Sequence, residues 1–119
     1  MIKEMAFVAT PVTDIQRARL FYEGVLGLRP TMEALGGQWI EYELGSSTYA
    51  IATADNEWKP SVDGASVAFE VDDFDTTIAE LKGHGVPFKI EKMETPVCWV
   101  AVIVDPDGNK LMIHKRKGG

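Results

Sequence analysis

The most constraining feature of this sequence of 119 residues is a pattern that occurs twice. Val12-Thr13-Asp14-Ile15 and Val71-Asp72-Asp73-Phe74 each lead from an apolar run into a helical stretch, with an Asp at the position where its side chain can cap the helix. A glycine ends each helical stretch, at Gly27 and at Gly85. The two caps are 59 residues apart and the two glycines 58. This constant spacing predicts an internal duplication.

Hydrophobic periodicity predicts one helix and four strands in each copy. In the first copy we expect a strand at 5–12, a helix at 14–26, and strands at about 28–34, 38–44 and 48–53. In the second copy we expect a strand at 65–71, a helix at 74–83, and strands at about 86–93, 97–104 and 110–114. The last two strands flank Asp105-Pro106-Asp107-Gly108, a tight turn in which Pro fixes φ and Gly permits positive φ. The sequence therefore predicts an α+β fold of two βαβββ modules, residues 1–54 and 64–117, joined by a linker at 55–63 within a single domain spanning 1–119.

Composition and charge exclude several function classes. The chain carries 12 basic and 18 acidic residues, a net charge of −6, whereas binding to a nucleic-acid backbone needs a concentrated basic surface. The basic cluster His114-Lys115-Arg116-Lys117 is therefore interpreted as a solvated tail. No apolar run approaches the roughly 18 residues of a membrane span, and Met1 to Met5 does not resemble a signal peptide. Cys98 is the single cysteine, interpreted as a small buried residue, and we expect a cytoplasmic protein.

The order of these motifs resembles the vicinal oxygen chelate superfamily, which includes glyoxalase I, bleomycin resistance proteins and extradiol dioxygenases. The resemblance spans nearly the whole chain and rests on these stretches: Val12 to Ile15 with Phe21-Tyr22, Val25-Leu26-Gly27-Leu28, Phe69 to Asp73, Gly85-Val86-Pro87-Phe88, and Asp105 to Asn109. It implies paired βαβββ modules whose curved mixed sheets surround a cup-shaped cavity. It also implies a homodimer, because relatives with this arrangement commonly complete their cavities with a second chain.

The resemblance also locates the positions at which metal-using members place His, Glu or Gln ligands. Here those positions hold Phe7, Ser66, Met112 and either Ala50 or Ala52. Divalent metals are bound by imidazole and carboxylate groups, which these side chains do not have. We therefore predict no metal ligand and no cofactor.

Strand alternation from these positions predicts the lining of the cavity. The predicted ligand-binding residues are Phe7, Trp39, Ser66, Trp99 and Met112, and the candidate catalytic residues are Glu41, Glu70 and His114. In this prediction Val100, Val102 and Val104 pack under the helices. The alternatives are that Trp39 and Trp99 fill the cup, that Glu41 and Glu70 face solvent, and that His114 is an exposed residue at a strand end. A carboxylate in a partly apolar cup is expected to have a raised pKa.

Two functions follow from this interpretation. The first is a metal-independent small-molecule-binding protein of the glyoxalase and bleomycin resistance type, with an aromatic-lined pocket. The alternative is a glyoxalase-like lyase, isomerase or dioxygenase with a non-standard active site, built from Glu41, Glu70 and His114, in which a divalent metal such as Ni, Zn, Mn or Fe could take part. The expected partner in both is a small organic molecule, with no nucleic acid and no membrane.

Overall fold

The two predicted capping residues begin the two helices of the structure, a computed structural model that describes residues 1–118. Asp14 Oδ1 accepts a hydrogen bond from the backbone N–H of Arg17 at 3.0 Å, and Asp73 Oδ1 accepts one from Thr76 at 3.0 Å. Each aspartate satisfies a helical N–H that has no partner within its helix. Gly27 and Gly85 follow the helices at φ +76° and +75°, a conformation that side chains with a Cβ rarely adopt.

The chain divides into two units, the first covering Met1–Pro60 and the second beginning at Ser61. The first unit has one helical element and four strands. Its elements are β1 Val8–Val12, α1 Ile15–Arg19 continued by a π-helical segment Leu20–Val25, β2 Pro30–Ala34, a single 3₁₀ turn Leu35–Gly37, β3 Trp39–Leu44 and β4 Ser47–Thr53. The predicted helix at 14–26 thus includes a change of hydrogen-bond pattern, in which Leu26 N–H donates to the carbonyl of Phe21.

The second unit repeats this order of elements. They are β5 Val67–Glu70, α2 Phe74–Gly83, β6 Phe88–Glu94, β7 Cys98–Val104 and β8 Lys110–Arg116. The sheet orders correspond strand for strand, β1-β4-β3-β2 in the first unit and β5-β8-β7-β6 in the second. The first strand of each unit runs parallel to the last, and the other pairings are antiparallel. The predicted α+β fold of βαβββ modules is confirmed.

The core of each unit lies between its helix and its sheet. Tyr22, Ile40 and Tyr42 are fully buried in the first unit, and Ile103, Leu111 and Ile113 are buried in the second. Cys98 is also buried, at 8% exposure, in a group with Val100 and Val102 on the other face of its sheet, and its sequence context predicts this burial. Within residues 1–118, neither helix has the length and apolar character that crossing a bilayer requires.

Candidate functional site

The sheet of the first unit has one face against the helix and one face away from it. The hydroxyl of Tyr42 donates to Glu23 Oε2 on the helical segment at 2.8 Å, which places Tyr42 on the helix side. Trp39 and Glu41 have the opposite parity in β3 and therefore lie on the other face. Cross-strand register pairs Trp39 with Ala52 and Glu41 with Ala50. The predicted facing of Trp39 and Glu41 agrees with this register.

An aromatic pair occupies this second face. The rings of Phe7 and Trp39 meet edge to face, with centroids 5.2 Å apart and planes at 85°. The register also places Ala50 beside Ala9, so that small side chains lie along the middle of the sheet. Phe7 remains 48% exposed, a large accessible fraction for an aromatic ring. We call Phe7, Ala9, Trp39, Glu41, Ala50 and Ala52 the aromatic face.

A carboxylate lies within the aromatic face. The indole Nε1–H of Trp39 donates to Glu41 Oε2 at 2.8 Å, which fixes the orientation of the ring and of the carboxylate together. The side chain of Glu41 is partly buried. The aromatic face therefore combines ring surfaces that can stack on a flat molecule with one acceptor group that can orient it.

A cluster of charged side chains lies on the helix side of this sheet and contacts β3 through Tyr42. Arg19 Nε donates to Glu23 Oε2 at 2.6 Å, and its Nη1 donates to Glu33 Oε1 on β2 at 2.7 Å. Burial, and then the hydrogen bond to Glu23, raises the pKa of Tyr42 well above its ordinary value. The hydrogen bonds to Glu23 and Glu33 raise the pKa of Arg19. This cluster joins the helix to β2 and β3, and sequence reasoning missed it, although Arg19 and Glu23 have the i, i+4 spacing of a helical ion pair.

In the second unit the structure brings together Glu70 and His114, two of the predicted catalytic residues. They are direct cross-strand neighbours in the parallel pair β5 and β8, and His114 Nδ1 lies 2.6 Å from Glu70 Oε1. The other oxygen, Glu70 Oε2, accepts the backbone N–H of Arg116 at 2.8 Å. A carboxylate that accepts a hydrogen bond from Nδ1 orients an imidazole and favours the tautomer with the proton on Nδ1, which leaves Nε2 able to accept a proton.

The expected raised pKa is wrong for Glu70. Desolvation raises the pKa of this carboxyl, but the hydrogen bonds from the Arg116 N–H and from His114 act in the opposite direction, and the net effect lowers it below its ordinary value. Desolvation is the largest single contribution, but the side chain is still 36% exposed and the hydrogen bonds and charges of Arg116 and His114 together outweigh it. Glu70 is therefore ionised at neutral pH and is suited to orienting His114.

This lowered pKa predicts how stability changes with pH. A carboxyl whose pKa is lower in the folded state stabilises the fold above its unfolded-state pKa, and that contribution is lost as pH falls through the folded-state value. We expect Glu70→Gln to be less stable than the wild type above about pH 4.5 and the difference to shrink below it. Urea unfolding between about pH 3 and pH 7 would measure this, with Glu80→Gln on the exposed side of α2 as the control. A stability difference that stays constant over this range would contradict the assignment.

The predicted facing of Trp99 is wrong. In the pairing of β7 with β8, Val100 lies opposite His114 and Val102 opposite Met112, so the valines share the face of His114. Trp99 lies opposite Lys115 and points to the side of α2, where Lys92 Nζ is 4.7 Å from the centroid of its ring and 5.9 Å from that of Phe74. Lys117 Nζ approaches the Trp99 ring at 4.4 Å. Residues 100–104 are all apolar, so apolar and polar residues do not alternate there, and the sequence does not show which side chains of β7 face α2.

The remaining predicted residues have defined surroundings in the second unit. The Ser66 hydroxyl donates to the carbonyl oxygen of Lys110 at 3.1 Å. Met112 packs against a buried group made of Cys98, Val100 and Val102. The face that carries His114 and Glu70 is therefore aliphatic and sulfur-containing, and the aromatic residue predicted there is absent from it.

The family model of the Glyoxalase/Bleomycin resistance protein/Dioxygenase superfamily matches residues 5–113. The chain belongs to this superfamily.

Solved structures of similar architecture agree with the superfamily fold. The antibiotic-binding protein TnmS3 from Streptomyces sp. CB03234 has a TM-score of 0.81 and 21% identity, covering 98% of both chains. A putative glyoxalase family protein from Bacillus anthracis has a TM-score of 0.79 and 24% identity, again covering 98% of both. Lactoylglutathione lyase from Agrobacterium tumefaciens has a TM-score of 0.75 and 20% identity, covering 97% of this chain and 95% of its own. No curated protein matches the chain. At these identities the likeness establishes the fold alone.

The superfamily's metal-ligand positions can be compared with the donors that this chain presents. The ring of Phe7 packs edge to face against Trp39, and the Ser66 hydroxyl donates a hydrogen bond to a backbone carbonyl. Ala50, Ala52 and Met112 offer methyl groups and a thioether, which are poor ligands for a hard divalent cation. Over residues 1–118, no group of three or more His, Cys, Asp and Glu side chains is arranged to hold a metal ion. The donor set does not fit the superfamily's metal centre.

Proposed function

We propose that this superfamily member binds a small organic molecule on its aromatic face without a metal ion. The observation that carries the proposal is the edge-to-face pair of Phe7 and Trp39, whose indole N–H is bonded to Glu41. Aromatic rings with exposed surface favour a flat ligand by stacking. The description of TnmS3 as an antibiotic-binding protein is consistent with such a use of this fold.

The charge of the aromatic face defines the class of ligand further. Glu41 provides acceptor oxygens, and the chain as a whole carries a net charge of −6. Attraction between opposite charges favours a molecule with a positive or hydrogen-bond-donating group next to its ring system. Proflavine, a planar aromatic cation, and bleomycin are suitable probes.

Calorimetric titration of EDTA-treated protein tests the proposal. We expect both probes to bind with dissociation constants in the micromolar range, and the affinity to stay the same after addition of Ni²⁺, Zn²⁺, Mn²⁺ or Fe²⁺. The metals alone should leave the unfolding midpoint unchanged, because an ion that binds the native state would raise it. Binding that appears only after a metal is added would overturn the proposal.

The pair of Glu70 and His114 supports a second candidate function. A carboxylate 2.6 Å from Nδ1 leaves Nε2 of His114 as a proton acceptor, the arrangement of a general base. The corresponding proposal is a lyase, isomerase or dioxygenase reaction on the His114 face of the second unit. A turnover screen with small carbonyl and diol substrates would separate the two functions: an enzyme predicts a large loss of rate in His114→Gln, whereas the binding protein predicts no turnover by the wild type and unchanged probe affinity in the variant.

A further inference from the structure

A groove on the helix side of the second unit lies between α2 and β6. It encloses about 310 Å³, a volume at the lower end of the range for small-molecule sites. Phe74 and Ile78, two buried side chains of α2, supply the large apolar part of its lining. The other lining residues are Asp75, Ala79, Lys82, Glu91 and Lys92. The groove therefore offers an apolar surface between charged groups, in the unit that does not contain the aromatic face.

Two ion pairs cross this groove from α2 to β6. Lys82 Nζ lies 3.0 Å from Glu91 Oε2, and Lys92 Nζ lies 3.2 Å from Asp75 Oδ1. Asp75 and Lys82 are seven residues apart on α2, which corresponds to about 10 Å along the helix axis. One ion pair therefore lies at each end of the groove.

Three lysines lie around Trp99, next to the end of the groove that holds Lys92. Lys92 Nζ is 4.7 Å and Lys117 Nζ 4.4 Å from the centroid of the Trp99 ring, so that two ammonium groups lie beside one ring. Lys115 lies opposite Trp99 in the pairing of β7 with β8, which places it on the same face of the sheet. We call Lys92, Lys115 and Lys117 the lysine cluster.

Lys92 connects the groove to the lysine cluster. Its Nζ lies 5.9 Å from the centroid of Phe74 in the groove and 4.7 Å from that of Trp99. One elongated molecule can therefore occupy the groove and reach the lysine cluster with its other end.

The charges of the lysine cluster favour a ligand with several negative groups. The carboxylates that pair with it are exposed, Asp75 at 82% beside Lys92 and Glu94 at 55% beside Lys117. Ion pairs this exposed are weak, because water and salt screen them. An oligophosphate can contact several lysines at once and displace both carboxylates, and lysine is a common phosphate-binding residue.

The opposite end of the groove matches the edge of a nucleobase. The pair of Lys82 and Glu91 supplies hydrogen-bond donors and acceptors side by side. A nucleobase has a flat face that can pack on Phe74 and Ile78, and an edge that carries both donors and acceptors. We propose that the groove and the lysine cluster bind a nucleoside triphosphate, with the base in the groove and the phosphates on the lysine cluster.

Calorimetric titration in EDTA with ATP, tripolyphosphate and adenosine separates the two parts of this site. We expect ATP to bind with a dissociation constant of about 100 μM or below, and tripolyphosphate, which lacks the base, to bind about tenfold more weakly. Adenosine lacks the phosphates and should bind more weakly than either. Raising NaCl from about 0.05 to about 0.3 M should weaken ATP binding several-fold. ATP that does not bind, or that binds no more tightly than tripolyphosphate or adenosine, would overturn the proposal.

Two variants test the lysine cluster and the groove separately. Lys117→Gln removes one ammonium group and should weaken ATP and tripolyphosphate alike, by about fivefold or more. Ala79→Phe places a ring in the groove and should weaken ATP by about tenfold while tripolyphosphate binds as before. Lys59→Gln, the same charge change at an exposed position of the first unit, should bind ATP like the wild type. Circular dichroism would show that each variant is folded.

The variants contradict the proposal in two ways. If Lys117→Gln bound ATP as tightly as Lys59→Gln, the phosphates would not lie on the lysine cluster. If Ala79→Phe weakened both ligands equally, the base would not lie in the groove.

Amide chemical shifts locate the ligand independently of any substitution. Titrating ATP into ¹⁵N-labelled protein should move the signals of Lys92, Lys115 and Ala79, and should leave those of Trp39 and Glu41 on the aromatic face in place. Shifts confined to the first unit would overturn the assignment.

Discussion

Replacing Trp39 with alanine is expected to weaken probe binding more than any other single change. The substitution removes the larger ring of the aromatic pair and the donor that orients Glu41. Truncating a central aromatic contact typically costs about 2 to 3 kcal/mol, or about 30- to 150-fold in affinity. Calorimetric titration with proflavine would measure the loss, and circular dichroism would show that the variant is folded.

Trp99→Ala is the matched control for this experiment. The sequence predicted that both tryptophans line a ligand pocket, whereas the register places Trp99 on the side of α2, under Lys92 and Lys117. We expect Trp99→Ala to retain affinity within about threefold, and Trp39→Phe to recover part of what Trp39→Ala loses. Equal losses in the two alanine variants would show that the aromatic face is not the specific site.

Asp105→Ala is expected to have the largest effect on stability. The Asp105 side chain is 4% exposed, and its Oδ1 accepts the backbone N–H groups of Asp107 at 2.9 Å and Asn109 at 2.8 Å. Its Oδ2 accepts Asn109 Nδ2 at 2.9 Å. Alanine leaves these donors in a buried turn without the carboxylate, which should lower the free energy of unfolding by about 3 kcal/mol.

Urea unfolding with two further variants tests the role of the Asp105 carboxylate. Asp105→Asn keeps an acceptor but loses the charge and presents its amide to the amide of Asn109, so we expect a loss of about half that size. Asp72→Ala, an exposed aspartate in the same unit, should change stability by less than about 0.5 kcal/mol. If Asp105→Ala behaved like Asp72→Ala, the turn would not depend on this carboxylate.

Much of the fold could be predicted because local chemistry determines it. A capping Asp and a terminating Gly occur at the same places in both halves, and the structure uses them in the same way, with Asp14 and Asp73 accepting an N–H three residues on. The turn at Asp105 could be predicted for the same reason. Its sequence prescribes a conformation that needs no distant partner.

The site was less predictable because it depends on which way each strand faces. In β3, apolar and polar residues alternate around Trp39 and Glu41, so their facing could be read from the sequence. In β7 the residues on both faces are apolar. The prediction therefore had no pattern to follow, and it assigned alternate residues to the wrong faces, Trp99 among them. The contact of Phe7 with Trp39 joins residues 32 positions apart, and no local pattern encodes it.

The pKa of Glu70 illustrates a second limit of the sequence. From the sequence alone, Glu70 is a carboxylate on a partly apolar strand, for which burial predicts a raised pKa. The structure adds the N–H of Arg116, 46 positions away, and the ring of His114, and these hydrogen bonds reverse the direction of the shift. Such partners become visible only when the register of β5 with β8 is known.

Intermolecular NOEs between bound proflavine and the EDTA-treated protein would show whether the ligand lies on the aromatic face without a metal, because they identify the residues that touch it. We expect contacts from the aromatic protons of the probe to the rings of Trp39 and Phe7 without any added metal. Contacts to Trp99 instead, or contacts that appear only after a divalent metal is supplied, would contradict metal-independent binding on the aromatic face.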